Sequence, residues 1–230
     1  RPPRSTLFPY TTLFRSIYYR EELYTALGET IIMVFIAGII STLIGIILGI
    51  ALAVTKKNGI LENTFINTTL ARIINILRSI PFVILLAALI PVTRFIVGTT
   101  IGLKGAIVPL IFGSAPFIAR QIESALSSVD SGVIEAAYAM GSSPFEIIYR
   151  VLLREALPEI IYALIITTVS LISFSAVAGT VGGGGLGDFA IRYGYQHFKT
   201  DIMVVTIIIL ILMITTIQWI GEKLIQKIKH

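Results

Sequence analysis

Few side chains in this 230-residue sequence are of types that do chemistry, and the most suggestive grouping is made of glycine. The stretch VGGGGLGDF, Val181 to Phe189, holds a G-x-G-x-x-G at Gly182, Gly184 and Gly187. Between a strand and a helix, that spacing cradles a dinucleotide pyrophosphate on backbone N–H groups. Consecutive glycines also produce the spacing by composition alone, so the flanking elements must decide. Other catalytic signatures are missing. The sequence has no H-E-x-x-H, nucleophile elbow, G-x-x-x-x-G-K-S/T or convincing acid pair. His197 and His230 read as solvated, one in a loop and one at the terminus. The absence of cysteine removes disulfides, thiolate nucleophiles and Cys-ligated metals. There remain five hydroxyls in an aliphatic run: Thr167, Thr168, Ser170, Ser173 and Ser175. In a membrane helix such groups either bond their own backbone carbonyls and neighbouring helices or line a polar path. In the second case Thr167, Ser170 and Ser173 share one side, and Ser175 to Gly179 lie near an external gate.

The elements around these residues are membrane spans. Hydrophobic residues make up 55% of the chain and charged ones 13%, with mean hydropathy +0.90. Soluble domains carry about 25% charged residues, so this chain lacks the charge to cover a water-facing surface. The net charge of +5 is no nucleic-acid footprint, because no basic run with interleaved aromatics occurs. Arg1 to Ser16, RPPRSTLFPYTTLFRS, has neither an apolar h-region nor a cleavage site. It resembles translated sequencing-adapter DNA and is read as a non-native tail.

The sequence predicts an all-α protein with five spans. Thr30 to Val54, Ile160 to Val181 and Ile202 to Gly221 are uncharged and long enough to cross, the last closing with Trp219 at an interface. Ser41, Gly45, Gly49 and Ala53 recur at every fourth position, a ridge on which another helix can pack closely. The uncharged stretches from Arg78 to Arg94 and from Lys104 to Arg120 fall short of the roughly 20 residues a crossing helix needs. Flanking runs such as Leu70 to Leu77 lengthen them, and they are read as spans two and three.

Alternation then places Lys56, Lys57, Arg72, Arg78, Arg120, Arg150, Arg154, Lys223, Lys227 and Lys229 on one side. Arg20, Arg94, Lys104, Arg192 and Lys199 fall on the other. The richer side is cytoplasmic, with the N-terminus outside and the C-terminus inside. The glycine run therefore faces away from the nucleotide pool. It reads as a flexible or tightly turned external loop, not a nucleotide cradle.

One polar island stands out on the cytoplasmic side, residues 131–155. Asp130 or Ser131 caps a short helix whose Val133, Ala136, Ala137 and Met140 form an apolar stripe. Gly141 sits where a left-handed C-terminal cap ends that helix. Ser143, Pro144 and Glu146 then make an N-cap, an N1 proline and a capping box. Such a helix either lies on lipid or its own spans, or docks a partner. In the second case Ala136 and Ala137 admit a partner's groove and Glu135 supplies a charged contact.

Glu135-Ala136-Ala137, three residues, then Gly141 resembles the EAA signature of permease subunits of bacterial ATP-binding-cassette importers. The family's later proline is replaced by Arg154. Arg78-Ser79-Ile80-Pro81-Phe82, Ile107-Val108-Pro109-Leu110, Ala115-Pro116-Phe117-Ile118-Ala119-Arg120, Gly183 to Gly187 and Tyr193-Gly194-Tyr195 are similar to the methionine-importer permeases. The resemblance covers about Ala26 onward, with a transmembrane domain over 26–221.

It implies a five-span subunit that dimerises on two cytoplasmic ATPase subunits and receives substrate from an external binding protein. ATP and Mg belong to the ATPase, and no cofactor to this chain. Val133 to Gly141 correspond to the coupling helix of such permeases. The alternatives are a family member for another amino acid or a small peptide, or a membrane carrier outside the family. A proton-coupled carrier usually needs a carboxylate or histidine within its spans, and the clear spans have none. A structural scaffold would explain the docking helix but not the hydroxyls.

Overall fold

The computed structural model describes residues 19–228, so the tail Arg1 to Ser16 and His230 lie outside the described residues. Among the described residues every regular element is helical. Hydrocarbon offers no partner for backbone N–H and C=O groups, so a spanning segment must satisfy them internally. In chain order the helices are α1 (Arg20–Thr55), α2 (Thr64–Ser79), α3 (Phe82–Ala88), α4 (Ile90–Val97) and α5 (Gly102–Ser127). Then come α6 (Ser131–Ala139), α7 (Pro144–Glu146), α8 (Leu153–Glu155), α9 (Leu157–Thr180), α10 (Gly185–Phe189) and α11 (Thr200–Ile228). Wider i→i−5 turns occupy Ile147–Leu152 and Ala190–Tyr195.

Four helices, α1, α5, α9 and α11, are long and apolar enough to cross a bilayer alone. The bent pair α2 and α3, turned by 100°, is a fifth candidate, either a broken span or a re-entrant loop. The second span therefore differs from the sequence expectation. Pro81 disfavours helical backbone at the residue before it, and Ile80 is extended at φ −82°, ψ 123°. Further along, the chain breaks again at Leu89, and left-handed Gly98 (φ 77°) ends α4. In contrast, α5 runs unbroken through Pro109 and Pro116.

The predicted small-residue ridge is the seam that holds α1 to α5. Ser41, Gly45, Gly49 and Ala53 are all buried. At Gly49 a Cβ would stand 2.6 Å from Ile122 Cβ and 2.7 Å from the Ala119 carbonyl, so the backbones approach as only glycine permits. The Ser41 and Ser114 hydroxyls meet at 2.6 Å, and Ser114 also donates to the Leu110 carbonyl. Two apolar clusters extend the seam. One joins Ala53, Ile118, Ile122, Leu126, Leu152 and Ile160, and the other joins Met33, Ala37, Leu110, Leu171 and Ile172. An apolar groove of about 800 Å³ lies between α1, α9 and α11, among Phe35, Leu43, Ile172 and Leu212.

Two arginines make contacts that the sequence did not show. Arg78 lies 6.0 Å from the centre of the Phe117 ring. Phe117 is about 15 Å along α5 from its Ser127 end, at a rise of about 1.5 Å per residue. Arg78 is itself exposed and stands in the last turn of α2, just before the bend. Arg120, also within α5, donates to Glu123 Oε2 (2.6 Å), Asn75 Oδ1 (2.9 Å) and the Ala71 carbonyl (3.2 Å), tying α2 to α5.

Candidate functional site

The segment from Asp130 to Glu155 is built by the local rules anticipated for it. The Asp130 carboxylate accepts from the Gly132 amide at 2.6 Å, satisfying one of the orphan donors at the start of α6. Gly141 is left-handed at φ 83°. The Gly141 N–H donates to the Tyr138 carbonyl and the Ser142 N–H to the Ala137 carbonyl, the paired bonds of a Schellman cap. The reciprocal box at α7 is complete: the Glu146 N–H donates to Ser143 Oγ, and the Ser143 N–H donates to Glu146 Oε2 at 3.0 Å. These backbone and hydroxyl hydrogen bonds from Ser143 hold the Glu146 carboxyl below the usual glutamate range, with a smaller contribution from Arg150.

The apolar stripe divides in a way its spacing did not show. Ala137 is 2% exposed, whereas Val133, Ala136 and Met140 face outward, Met140 at 79%. Ala137 turns inward because α6 seats Ile134 against the cluster of Leu126, Leu152 and Ala156, which draws that side of the helix onto the bundle. Tyr138 Oη donates to the Ile60 carbonyl at 3.4 Å, and Lys56 Nζ to Ser127 Oγ at 3.0 Å, around a cavity of about 310 Å³. Ala137 is thus a foot by which the helix stands on the bundle. Glu135 and Gly141 are exposed. Phe145 and Tyr149 are exposed too, although the sequence reading did not single them out. Two aromatics four residues apart beside a capping box were the available signal.

The glycine run is tightly turned and packed. Gly182, Gly184 and Gly185 are left-handed, at φ 86°, 79° and 75°. The Gly185 N–H donates to Glu29 Oε2 at 2.7 Å, and the Leu186 N–H to Thr30 Oγ1 at 2.8 Å. One backbone N–H of the run, that of Gly185, does bind an anion here, but it is the chain's own carboxylate from α1. Glu29 and Thr30 were not legible as partners, because 156 residues separate each from its donor. Gly179 packs against the Asp188 amide, and Gly187 against the Ala176 carbonyl.

On α9 the hydroxyls are engaged locally. Thr167, Thr168, Ser170, Ser173 and Ser175 donate to the carbonyls of Ala163, Leu164, Ile166, Val169 and Ile172. Thr167 and Ser175 are buried within the subunit, each 2% exposed, and Gly179 is buried as well. Ser170 is half-buried and Ser173 exposed. The side shared by Thr167, Ser170 and Ser173 therefore winds from the interior to the surface. A bulky group at Ser175 would disturb packing before it could block a path.

Four helices long enough to cross, a bent pair beside them and an outward knob packed on the bundle define a polytopic, all-helical membrane protein. The family model of the binding-protein-dependent transport system inner membrane component matches residues 41–230, and the chain belongs to that family. It is 52% identical over 210 residues to the "Probable D-methionine transport system permease protein MetI" of Vibrio cholerae, covering 91% of this chain and 93% of that protein. It is 49% identical to the D-methionine transport system permease protein MetI of Escherichia coli, over 66% of this chain and 70% of that one. A solved inward-facing structure of the MetNI methionine ABC transporter superposes with TM-score 0.89 at 42% identity, covering 91% of this chain and 97% of that one.

Proposed function

We propose that this chain is the membrane-spanning permease subunit of an ATP-driven importer that brings methionine, as the D- or L-form, across the bacterial cytoplasmic membrane by alternating access. Two cytoplasmic ATPase subunits carry ATP and Mg, a second copy of this chain completes the pathway, and an external binding protein delivers substrate. Its N-terminus is outside and its C-terminus cytoplasmic, in keeping with the basic excess on the latter side. The observation that carries this reading is the outward face of α6. Val133, Glu135, Ala136 and Met140 stand exposed on a helix whose other side, Ile134 and Ala137, is packed onto the bundle. A push on that face reaches α1, α5 and α9 through packed side chains, whose interiors transmit displacement with little compression. The relatives' methionine substrate supports the cargo assignment.

Because the chain has no cysteine, single replacements report cleanly. Ala136→Cys, co-expressed with the candidate ATPase carrying a cysteine in its groove, should crosslink in a way that changes with ATP. Ala137→Cys should not. Equal crosslinking at both positions, or Ala136→Cys labelled only from outside, would refute the coupling assignment. ATP-dependent methionine uptake by proteoliposomes of the assembled importer tests the cargo, and lysine or dipeptide uptake in its place would reassign it.

A further inference from the structure

The bend of the second span opens a cavity of about 280 Å³, lined by Arg78, Phe82, Leu85, Gly113, Phe117 and Phe174. Its walls come from three spans: the bent pair α2 and α3, then α5, then α9. Phe82 stacks on Phe174 with centroids 4.6 Å apart and planes 19° from parallel. The Phe82 ring rests on Gly113, where a Cβ would come within 3.1 Å of Cδ2. Arg78 caps the aromatic wall from 6.0 Å above the Phe117 ring. Among the described residues no carboxylate pairs with Arg78, in contrast to Arg120, which binds Glu123, Asn75 and a carbonyl. Arg78 lines the cavity while remaining exposed itself, so its guanidinium is accessible to a ligand.

We infer that this cavity is a transit site for a free amino acid with an apolar, thioether-bearing side chain, its α-carboxylate paired with Arg78 and its side chain among Phe82, Phe117 and Phe174. The volume of about 280 Å³ lies just below the roughly 300–1,000 Å³ of sites for drug-sized ligands, in keeping with a smaller ligand of amino-acid size. A guanidinium matches a carboxylate with two parallel hydrogen bonds, and a thioether sulfur is attracted to aromatic ring edges. No acidic side chain lines the cavity, so recognition rests on the carboxylate end. This assignment rests on the amino-acid import proposed above.

The test is uptake of radiolabelled L-methionine by ATP-loaded proteoliposomes holding the complete importer, with wild type, Arg78→Lys and Arg78→Ala compared. Assembly with the ATPase is read separately by co-elution. Losing a charge-assisted pair slows uptake by about tenfold or more, so Arg78→Ala should fall at least that far while still assembling. Arg78→Lys, which keeps the charge but not the fork, should fall in between. Uptake by Arg78→Ala within twofold of wild type would overturn the site. So would failure of both variants to co-elute, which would make Arg78 a packing residue. Absence of methionine uptake by wild type refutes the import reading itself, and the site falls with it.

Discussion

Replacing Gly185 with alanine should be markedly more damaging than the same change at Gly182, although both sit in one loop with nearly the same backbone. Both are left-handed, at φ 75° and 86°, which costs an L-residue roughly 1–2 kcal/mol. At Gly182 that is the whole penalty, because the nearest atom to a new Cβ is Ile101 Cγ2 at 3.9 Å. At Gly185 the Cβ would stand 2.6 Å from Thr30 Oγ1 and 2.7 Å from Met33 Cε. The methionine tip can swing aside, but the hydroxyl cannot move without abandoning the Leu186 N–H it accepts from at 2.8 Å. An unsatisfied buried amide adds about 1–3 kcal/mol. For a chain of this size each kcal/mol lowers the midpoint by about 2–4 °C, so Gly185→Ala should unfold about 2–12 °C below Gly182→Ala. The assay is thermal unfolding of purified, detergent-solubilised protein at one fixed scan rate, since such transitions are often irreversible. Equal midpoints would refute the claim that the loop is locked onto α1.

Three further outcomes follow from the packing. Gly49→Leu should loosen the α1–α5 seam by about 1–3 kcal/mol in the same unfolding assay, while Gly28→Leu, with nothing within 4 Å of its Cβ, should be near neutral. Ser175→Phe should destabilise by about 1–3 kcal/mol because its site is buried. Ser173→Phe should assemble normally and lower methionine uptake, and unchanged uptake would remove that face from the pathway. The Glu146 carboxyl is held below its ordinary value, so its capping contribution is fully present above the unfolded pKa, about 4.3, and is lost as pH falls through the lower folded value. Proteolysis of the 131–155 segment should accordingly rise only below the ordinary glutamate range, and Ser143→Ala should move that rise to higher pH.

What was legible in the sequence was mostly local. The spacing of Ser41, Gly45, Gly49 and Ala53 fixed which face of α1 meets a neighbour, since only that face lacks bulk. Asp130, Gly141, Ser143 and Glu146 specified their turns through contacts a few residues apart. Residues set by distant partners were not legible. Pro81 announced a break but not its angle of 100°, which is accompanied by the seating of Phe82 on Gly113 and Phe174. The stripe on α6 was visible, but its inward side was decided by packing on Leu152 and Ala156. Arg78 read as the edge of a span because charge normally marks an edge, and its contact with the distant Phe117 ring was not legible.

The Gly185 N–H that steadies Glu29 has a consequence for how the chain is threaded into its membrane. An acidic group at the outer end of a span is commonly steadied by a lysine or arginine. Among the described residues Glu29 has no ion-pair partner and is steadied by the Gly185 N–H. A neutral dipole does the work of a counter-ion, so no positive charge is spent on this carboxylate. In the orientation proposed here, the asymmetry of lysine and arginine that guides insertion is left undiluted on the opposite side. Packing within the finished fold and the address read during its synthesis are thereby kept from competing for the same residues.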